Sequence, residues 1–396
     1  PGQLFYMIRN LKIYPLFNNR GELTVKVKVS TEKGSYYASI PSGASRGENE
    51  AVELPVEKVM RFFTRIRPKF MNIDENDWES ADILIKRLDG TDNFSRMGEN
   101  LSLALSIAIA RASTNDELWK LNSPGLSASF PIPVCNMMGG GRHGGGTDWQ
   151  EFLMIPHLAR NPSDAAKTVI ELWTEIGNEL KRKKLLAGRN RENAWMSSLD
   201  DIKTLDFLSD FADDWKVKLG MDFASSDFFN GKVYKYSKSK KELTPAKQVS
   251  LIEEVAEQYN LYYLEDPMEQ NDFRHTRVLS EAMRKSRLVV GDDLYCTNPA
   301  RVQRGAHMSA TTGIIIKPNQ VGTLLQASKA VEIARSNRMA IIPSHRSGET
   351  EDFWLADLAV TWDAPLIKIG MSDIPKHNRL IELWEEIPKV KMSELP

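Results

Sequence analysis

Beyond residue 125, short apolar runs alternate with stretches of helical spacing, and run after run ends on a charged residue. The run over 215–221 ends at Asp222, that over 261–264 at Glu265 and Asp266, and that over 287–291 at Asp292 and Asp293. Those over 313–316 and 366–367 end at Lys317 and Lys368, and that over 339–343 ends at Ser344, His345 and Arg346. A further run, 152–155, follows Gln150 and Glu151. Strand and helix in alternation predict parallel β/α units. In a closed barrel of such units the carboxyl ends of all strands surround one mouth, so residues distant in sequence converge. One charged strand end means little, because strands run into polar loops anyway. Six in one order predict a shared site.

The chain before this region is built differently. Residues 7–17 and 23–29 alternate as strands around the turn Asn18-Asn19-Arg20-Gly21, and a third strand, 35–40, runs into a small-residue loop at 41–47. From about 48 to 120 the apolar spacing is helical, as in Trp78, Ile83, Leu84 and Leu88. Asn122-Ser123-Pro124-Gly125 marks a boundary. The expected fold class is α/β, with a smaller α+β capping domain over 1–125 and a TIM-type β/α barrel over 126–396.

The 396 residues suit two such domains, and an apolar share of 41% provides a large core. With 52 basic and 53 acidic side chains, no overall field favours nucleic acid or an anionic membrane, so any charge that matters is local. Two cysteines, Cys135 and Cys296, give neither a disulfide framework nor a zinc motif, and a reducing cytoplasm is expected. The longest apolar stretch, 101–110, lies between Glu99 and Arg111 and predicts a buried helix rather than a membrane span. The first residues carry no recognisable signal peptide.

The strand-end residues suggest a chemistry. Asp222, Glu265 and Asp292 offer three carboxylates, an all-oxygen set suited to Mg²⁺ before Ca²⁺ or Mn²⁺. Singly each is more often a solvated loop acid; as a set beside Lys317 and Lys368 they predict a metal site. The stem of Lys317 follows an apolar run, so burial and neighbouring cations are expected to lower its pKa and make it a general base. Its other role is partner to one of the acids. Lys368 has the same choice, with electrostatic stabilisation of a substrate carboxylate preferred. Arg346 and Ser347 form an oxyanion grip suited to phosphate. His143 lies in a glycine-rich stretch, 139–146, without the strand–helix context of a nucleotide loop, and a closing loop is expected there.

These segments resemble the enolase family along nearly the whole chain. The matching pieces are PSGAS at 41–45, QEF at 150–152, GMDFASSDFF at 220–229, EDP at 265–267, GDDLYCTNP at 291–299, KPNQVG at 317–322 and SHRSGETED at 344–352. The resemblance implies reversible dehydration of 2-phosphoglycerate to phosphoenolpyruvate with two Mg²⁺ per site, the second arriving with substrate. Carried over by position, Asp222, Glu265 and Asp292 resemble the ligands of the first ion, and Ser45 the contact for the second. Lys317 resembles the base, and Glu151 with Glu192 the pair assisting departure of the hydroxyl. Arg346 and Ser347 look like phosphate holders; His345 and Lys368 would contact substrate, and His143 would sit on a closing loop. A homodimer or ring of dimers is also implied.

The departures are concentrated. The family's acidic GDEGG segment is represented by Arg189-Asn190-Arg191-Glu192-Asn193-Ala194, and no Ser-Glu-Arg segment is recognisable around 371–376. Arg191 is expected to favour the ionised form of Glu192, the wrong direction for an acid. If Glu192 points into the mouth beside Glu151, the usual dehydration is feasible. If Arg191 fills that space, another anionic substrate fits better. A catalytically weak scaffold is the third reading, at odds with a costly cluster of like charges.

Overall fold

The computed structural model describes residues 7–43, 47–71, 73–121 and 128–396. The N-terminal meander consists of β1 (Asn10–Phe17), β2 (Leu23–Ser30) and β3 (Ser35–Ser39), paired antiparallel in that order. Helices α1 (Val56–Ile66), α2 (Trp78–Asp89) and α3 (Glu99–Ser113) follow. Helix α3 is the expected buried helix: its apolar side chains are all inaccessible, and it packs on β2 and β3. Ser106 donates to Asp82 Oδ2 at 2.9 Å and accepts from the Leu324 N–H at 2.9 Å, pinning this unit to the second half of the chain.

That half contains β4 (Ala128–Phe130), β5 (Ile132–Gly139), β6 (Glu151–Ile155), α4 (Pro162–Arg182), β7 (Leu186–Arg189), β8 (Trp195–Ser197), α5 (Asp201–Trp215) and β9 (Lys218–Asp222). It continues with β10 (Tyr234–Lys235), β11 (Glu242–Leu243), α6 (Pro245–Gln258), β12 (Tyr263–Glu265), α7 (Phe273–Met283), β13 (Leu288–Gly291), α8 (Pro299–Met308) and β14 (Gly313–Ile316). Last come α9 (Leu324–Ser336), β15 (Ala340–Pro343), α10 (Trp354–Thr361), β16 (Leu366–Lys368), α11 (Ile374–Glu386) and β17 (Val390–Met392).

Strands β5, β6, β9, β12, β13, β14 and β15 pair in that order, and β16 closes the ring by pairing with β5 and bridging from Lys368 to Ser344 just after β15. The runs were legible because these strands are buried on both faces. Their inward side chains, among them Val134, Leu153, Tyr263, Val290, Ile315 and Ile342, fill the barrel, while the outward ones pack under the helices.

Two expectations need correction. The units are not all parallel, since β6 runs antiparallel to both β5 and β9. This reversal explains why Glu151 precedes its apolar run instead of following it: the start of β6 lies at the same end of the ring as the ends of the others. The run assigned to 215–221 also began too early. Trp215 ends α5, and Lys216 adopts a left-handed φ of 52° that stops the helix before the strand begins.

Candidate active site

Ten of the predicted site residues line one cavity at the mouth of the ring: His143, Glu151, Glu192, Asp222, Asp292, Lys317, His345, Arg346, Ser347 and Lys368. Glu265 lies buried just beneath, and Ser45 falls outside the described residues. Parallel register sets Glu265 beside Asp222, and antiparallel register sets Glu151 on the other side of Asp222. Lys368 Nζ gathers all three. It donates to Asp222 Oδ2 at 2.9 Å and Glu265 Oε2 at 2.8 Å, and lies 2.9 Å from Glu151 Oε2. Burial disfavours this ammonium, yet the surrounding carboxylates hold it well above the ordinary lysine range.

Lys317 is ion-paired with Asp292. Its pKa was expected to fall. Burial does push it down, with Arg346 and Lys368 adding to the effect, but the surrounding carboxylates, Asp292 first and Glu265 with it, together raise the ammonium. Asp292 is correspondingly lowered: burial acts against its charge, and Lys317 prevails.

The donor set fits a hard cation. Glu265 Oε1 is buried with no hydrogen-bond partner, an oxygen of the kind Mg²⁺ takes. Oxygens of Asp266, Asp292 and Asp293 lie within 4.8 Å of one another. The predicted trio of Asp222, Glu265 and Asp292 does not form such a tight group, because Lys368 and Lys317 sit among its carboxylates.

On the neighbouring wall, β7 and β8 form a hairpin whose turn carries Glu192. Asn190 Oδ1 accepts from the N–H groups of Glu192 and Ala194 at 3.0 and 2.9 Å, which shapes that turn without the family's glycines. Glu192 is buried and Arg191 is exposed. Arg191 does not occupy the mouth. The cation that matters to Glu192 is His143: burial raises the carboxyl, but His143 and His345 carry it well below the ordinary range. His143 Nδ1 stands 3.4 Å from Glu192 Oε2 and 3.7 Å from Glu151 Oε1. Although burial opposes its charge, these carboxylates lift His143 to about 9. Glu151 moves the other way, to about 7, chiefly through burial with Lys368 opposing. The two glutamates are thus driven apart in protonation, the arrangement an acid–base pair needs.

The glycine-rich loop bends back on itself at Gly145, where φ is 127° and a Cβ would lie 2.7 Å from the Gly139 carbonyl oxygen. Arg142 pairs with Asp227 at 2.8 Å and ties this loop to the segment after β9. Arg346 donates to Glu50 Oε2 and Asn319 Oδ1, each at 3.0 Å, and Arg20 donates to Ser347 Oγ at 2.7 Å. A Cβ at Gly43 would fall 1.9 Å from Arg346 Nη2, so the 41–43 segment passes this close only as glycine. Glu50, Gln150, Asp227, Asp266 and Asp293 also line the cavity and were not singled out from the sequence. The last two are second members of acidic doublets whose first members were chosen, so the doublets themselves were the signal.

An eight-stranded β/α ring with acids and lysines interleaved at one mouth, capped by an α+β unit, defines a barrel protein built for chemistry on an anionic small molecule. The family model for "Enolase, C-terminal TIM barrel domain" matches residues 127–392, and that for "Enolase, N-terminal domain" matches 8–122. The chain belongs to the enolase family. It is 35% identical to the enolase of Archaeoglobus fulgidus, over 98% of this chain and 99% of the relative. It is 33% identical to that of Methanothermobacter thermautotrophicus over the same shares, and 35% identical to that of Natronomonas pharaonis over 95% and 98%.

Proposed function

We propose that this chain is a lyase that reversibly dehydrates 2-phosphoglycerate to phosphoenolpyruvate. One observation carries the reading. In the ring of eight strands, β14, which ends at Lys317, stands four places from β6, which begins at Glu151. A base and an acid–base pair therefore face each other across the cavity.

In this reading Lys317 removes the proton α to the substrate carboxylate on one side. On the other, the Glu151–Glu192 pair delivers a proton to the hydroxyl as the carbon–oxygen bond breaks, releasing water and forming the double bond. Asp222, Glu265 and Asp292 would hold Mg²⁺, which when bound stabilises the negative charge developing on the carboxylate and relaxes the hold of Asp292 on the Lys317 proton. Lys368 adds fixed positive charge at the same place. Arg346 and Ser347 grip the phosphate, His345 contacts substrate, and His143 brings the glycine-rich loop against the acid pair. A second Mg²⁺ arriving with substrate and meeting Ser45, a divide between domains at 125/126, a homodimer or ring of dimers, and a cytoplasmic location belong to the same proposal. Partners are small phosphorylated hydroxy-acids, with no nucleic acid or membrane. Among the described residues, no helix is long and apolar enough to cross a bilayer.

Arg191 facing outward leaves the variant-substrate reading without support. The test is turnover of 2-phosphoglycerate, followed by ultraviolet absorbance of the enol product, with Mg²⁺, with EDTA, and with Lys317→Ala. Metal-dependent product that disappears in the variant is expected. A folded, Mg²⁺-binding protein that gives no product would refute the reading.

A further inference from the structure

Asp373 occupies the N-cap of α11, where an aspartate ordinarily accepts from its own helix's first turn. Its carboxylate does not cap the helix. Instead Oδ2 meets His345 Nδ1 at 2.6 Å and accepts from the Gly370 N–H at 2.7 Å, while Oδ1 accepts from Lys376 Nζ at 3.2 Å. Lys376 also donates to Glu349 Oε2 at 2.9 Å, and Glu349 Oε1 accepts from the Arg346 N–H at 2.9 Å. His345, Asp373, Lys376 and Glu349 are all buried. Four buried ionisable side chains carry a heavy desolvation cost, and here a helix cap has been given up as well. That investment is centred on one histidine at the cavity wall.

We propose that Asp373 is a positioning residue for the reaction, fixing the ring and tautomer of His345 and tying it through Lys376 and Glu349 to the Arg346 segment. With Nδ1 committed to Asp373, Nε2 is the nitrogen left to serve the cavity. Burial works against a charged His345, and Asp373 overrides it, with Glu192 and Glu151 adding to the effect. On the other side of the carboxylate, Lys376 is raised despite burial, by Glu349 and then Asp373. His377, on the same helix turn, is pushed down to about 4 by burial and brings no charge at neutral pH. This role rests on the reading of His345 as a substrate contact.

The experiment compares the full chain with Asp373→Asn, Asp373→Glu and Asp357→Asn. Asp357, a buried carboxylate paired with Arg379 at 3.0 Å, controls for stability loss alone. His345 is titrated by NMR in each, and kcat and KM for 2-phosphoglycerate are measured from pH 5.5 to 9. In Asp373→Asn the His345 titration is expected to move to lower pH and kcat to fall about tenfold or more, with Asp373→Glu recovering part of both. Asp357→Asn should melt earlier while His345 titrates as in the parent. A His345 titration unchanged in Asp373→Asn would overturn the proposal, as would a shifted titration with unchanged kcat and KM. Absence of turnover in the parent would instead strike the proposed activity, and the NMR comparison would then decide the role of Asp373 alone.

Discussion

Nδ1 of His143 stands 3.4 Å from Oε2 of Glu192, and this pairing rather than the neighbouring arginine sets the charge of the most altered segment of the site. Glu192 is buried at the end of a hairpin turn, where Asn136 Nδ2 donates to it at 3.2 Å. Arg191 is exposed, and the carboxylate it helps keep ionised is Glu22, in the turn between β1 and β2. There burial opposes the charge, and Arg20 and Asn18 favour it more strongly than Arg191 does.

Glu192→Gln should therefore lower kcat by about 10²-fold or more, the ordinary worth of a positioned acid–base group. Arg191→Ala, a surface change, should leave kcat within about twofold. Steady-state turnover of 2-phosphoglycerate checks both. An Arg191→Ala loss as large as that of Glu192→Gln would mean that the arginine reaches substrate after all.

The same contact predicts a pH dependence of stability. His143 rises from an ordinary 6.5 to about 9 on folding. A histidine raised in this way binds its proton more tightly in the folded state. Its stabilisation is complete below about 6.5 and is lost as pH climbs through about 9. The gap in melting temperature between the parent and His143→Gln should be widest near pH 6 and shrink steadily toward pH 9.5. A gap that widens with pH would show that the imidazole is neutral in the fold.

Much of this site was legible because buried barrel strands appear as short apolar runs, and a run's end marks the mouth. What escaped had physical causes. The antiparallel β6 puts Glu151 at the start of its run, so strand direction was misread even though the residue was chosen. The depressed pKa expected of Lys317 failed because burial and nearby cations, which both lower it, are opposed by Asp292, which the fold brings into direct contact. His143 and Glu192 meet across 49 positions, a contact no spacing rule reveals. Asp373 carried one faint signal, an aspartate just before Ile374-Pro375 at a helix start, and that signal pointed to capping instead of to His345.

Lys368 gives a prediction that couples stability to metal. Its ammonium is the shared partner of Asp222, Glu265 and Glu151. In Lys368→Met three buried carboxylates lose that cation, and breaking a buried ion pair from one side costs roughly 3–5 kcal/mol. Thermal unfolding in EDTA should show that loss. Added Mg²⁺ should recover part of it, because ligand binding to the folded state alone is stabilising. Equal losses with and without Mg²⁺ would argue against these carboxylates as metal ligands.

Arg111 provides the test of how the two halves of the chain support each other. It sits in the last turn of α3, yet its guanidinium donates to Asp352 Oδ1 at 2.7 Å, just before α10 on the barrel side. It also donates to the carbonyl of Tyr37 in β3. Both side chains of the ion pair are buried, so Arg111→Ala leaves Asp352 without its main cation and should cost roughly 3–5 kcal/mol in urea unfolding. Asp352 also accepts from the Ser39 and Phe353 N–H groups at 2.9 and 2.8 Å, so its loss would release the strap that follows Ser347. KM should therefore rise in Arg111→Ala as well. The double variant Arg111→Met/Asp352→Leu removes both charges and should regain stability relative to Arg111→Ala, while KM stays high because the strap's anchor is gone. Recovery of KM together with stability would show that the strap is held by packing alone.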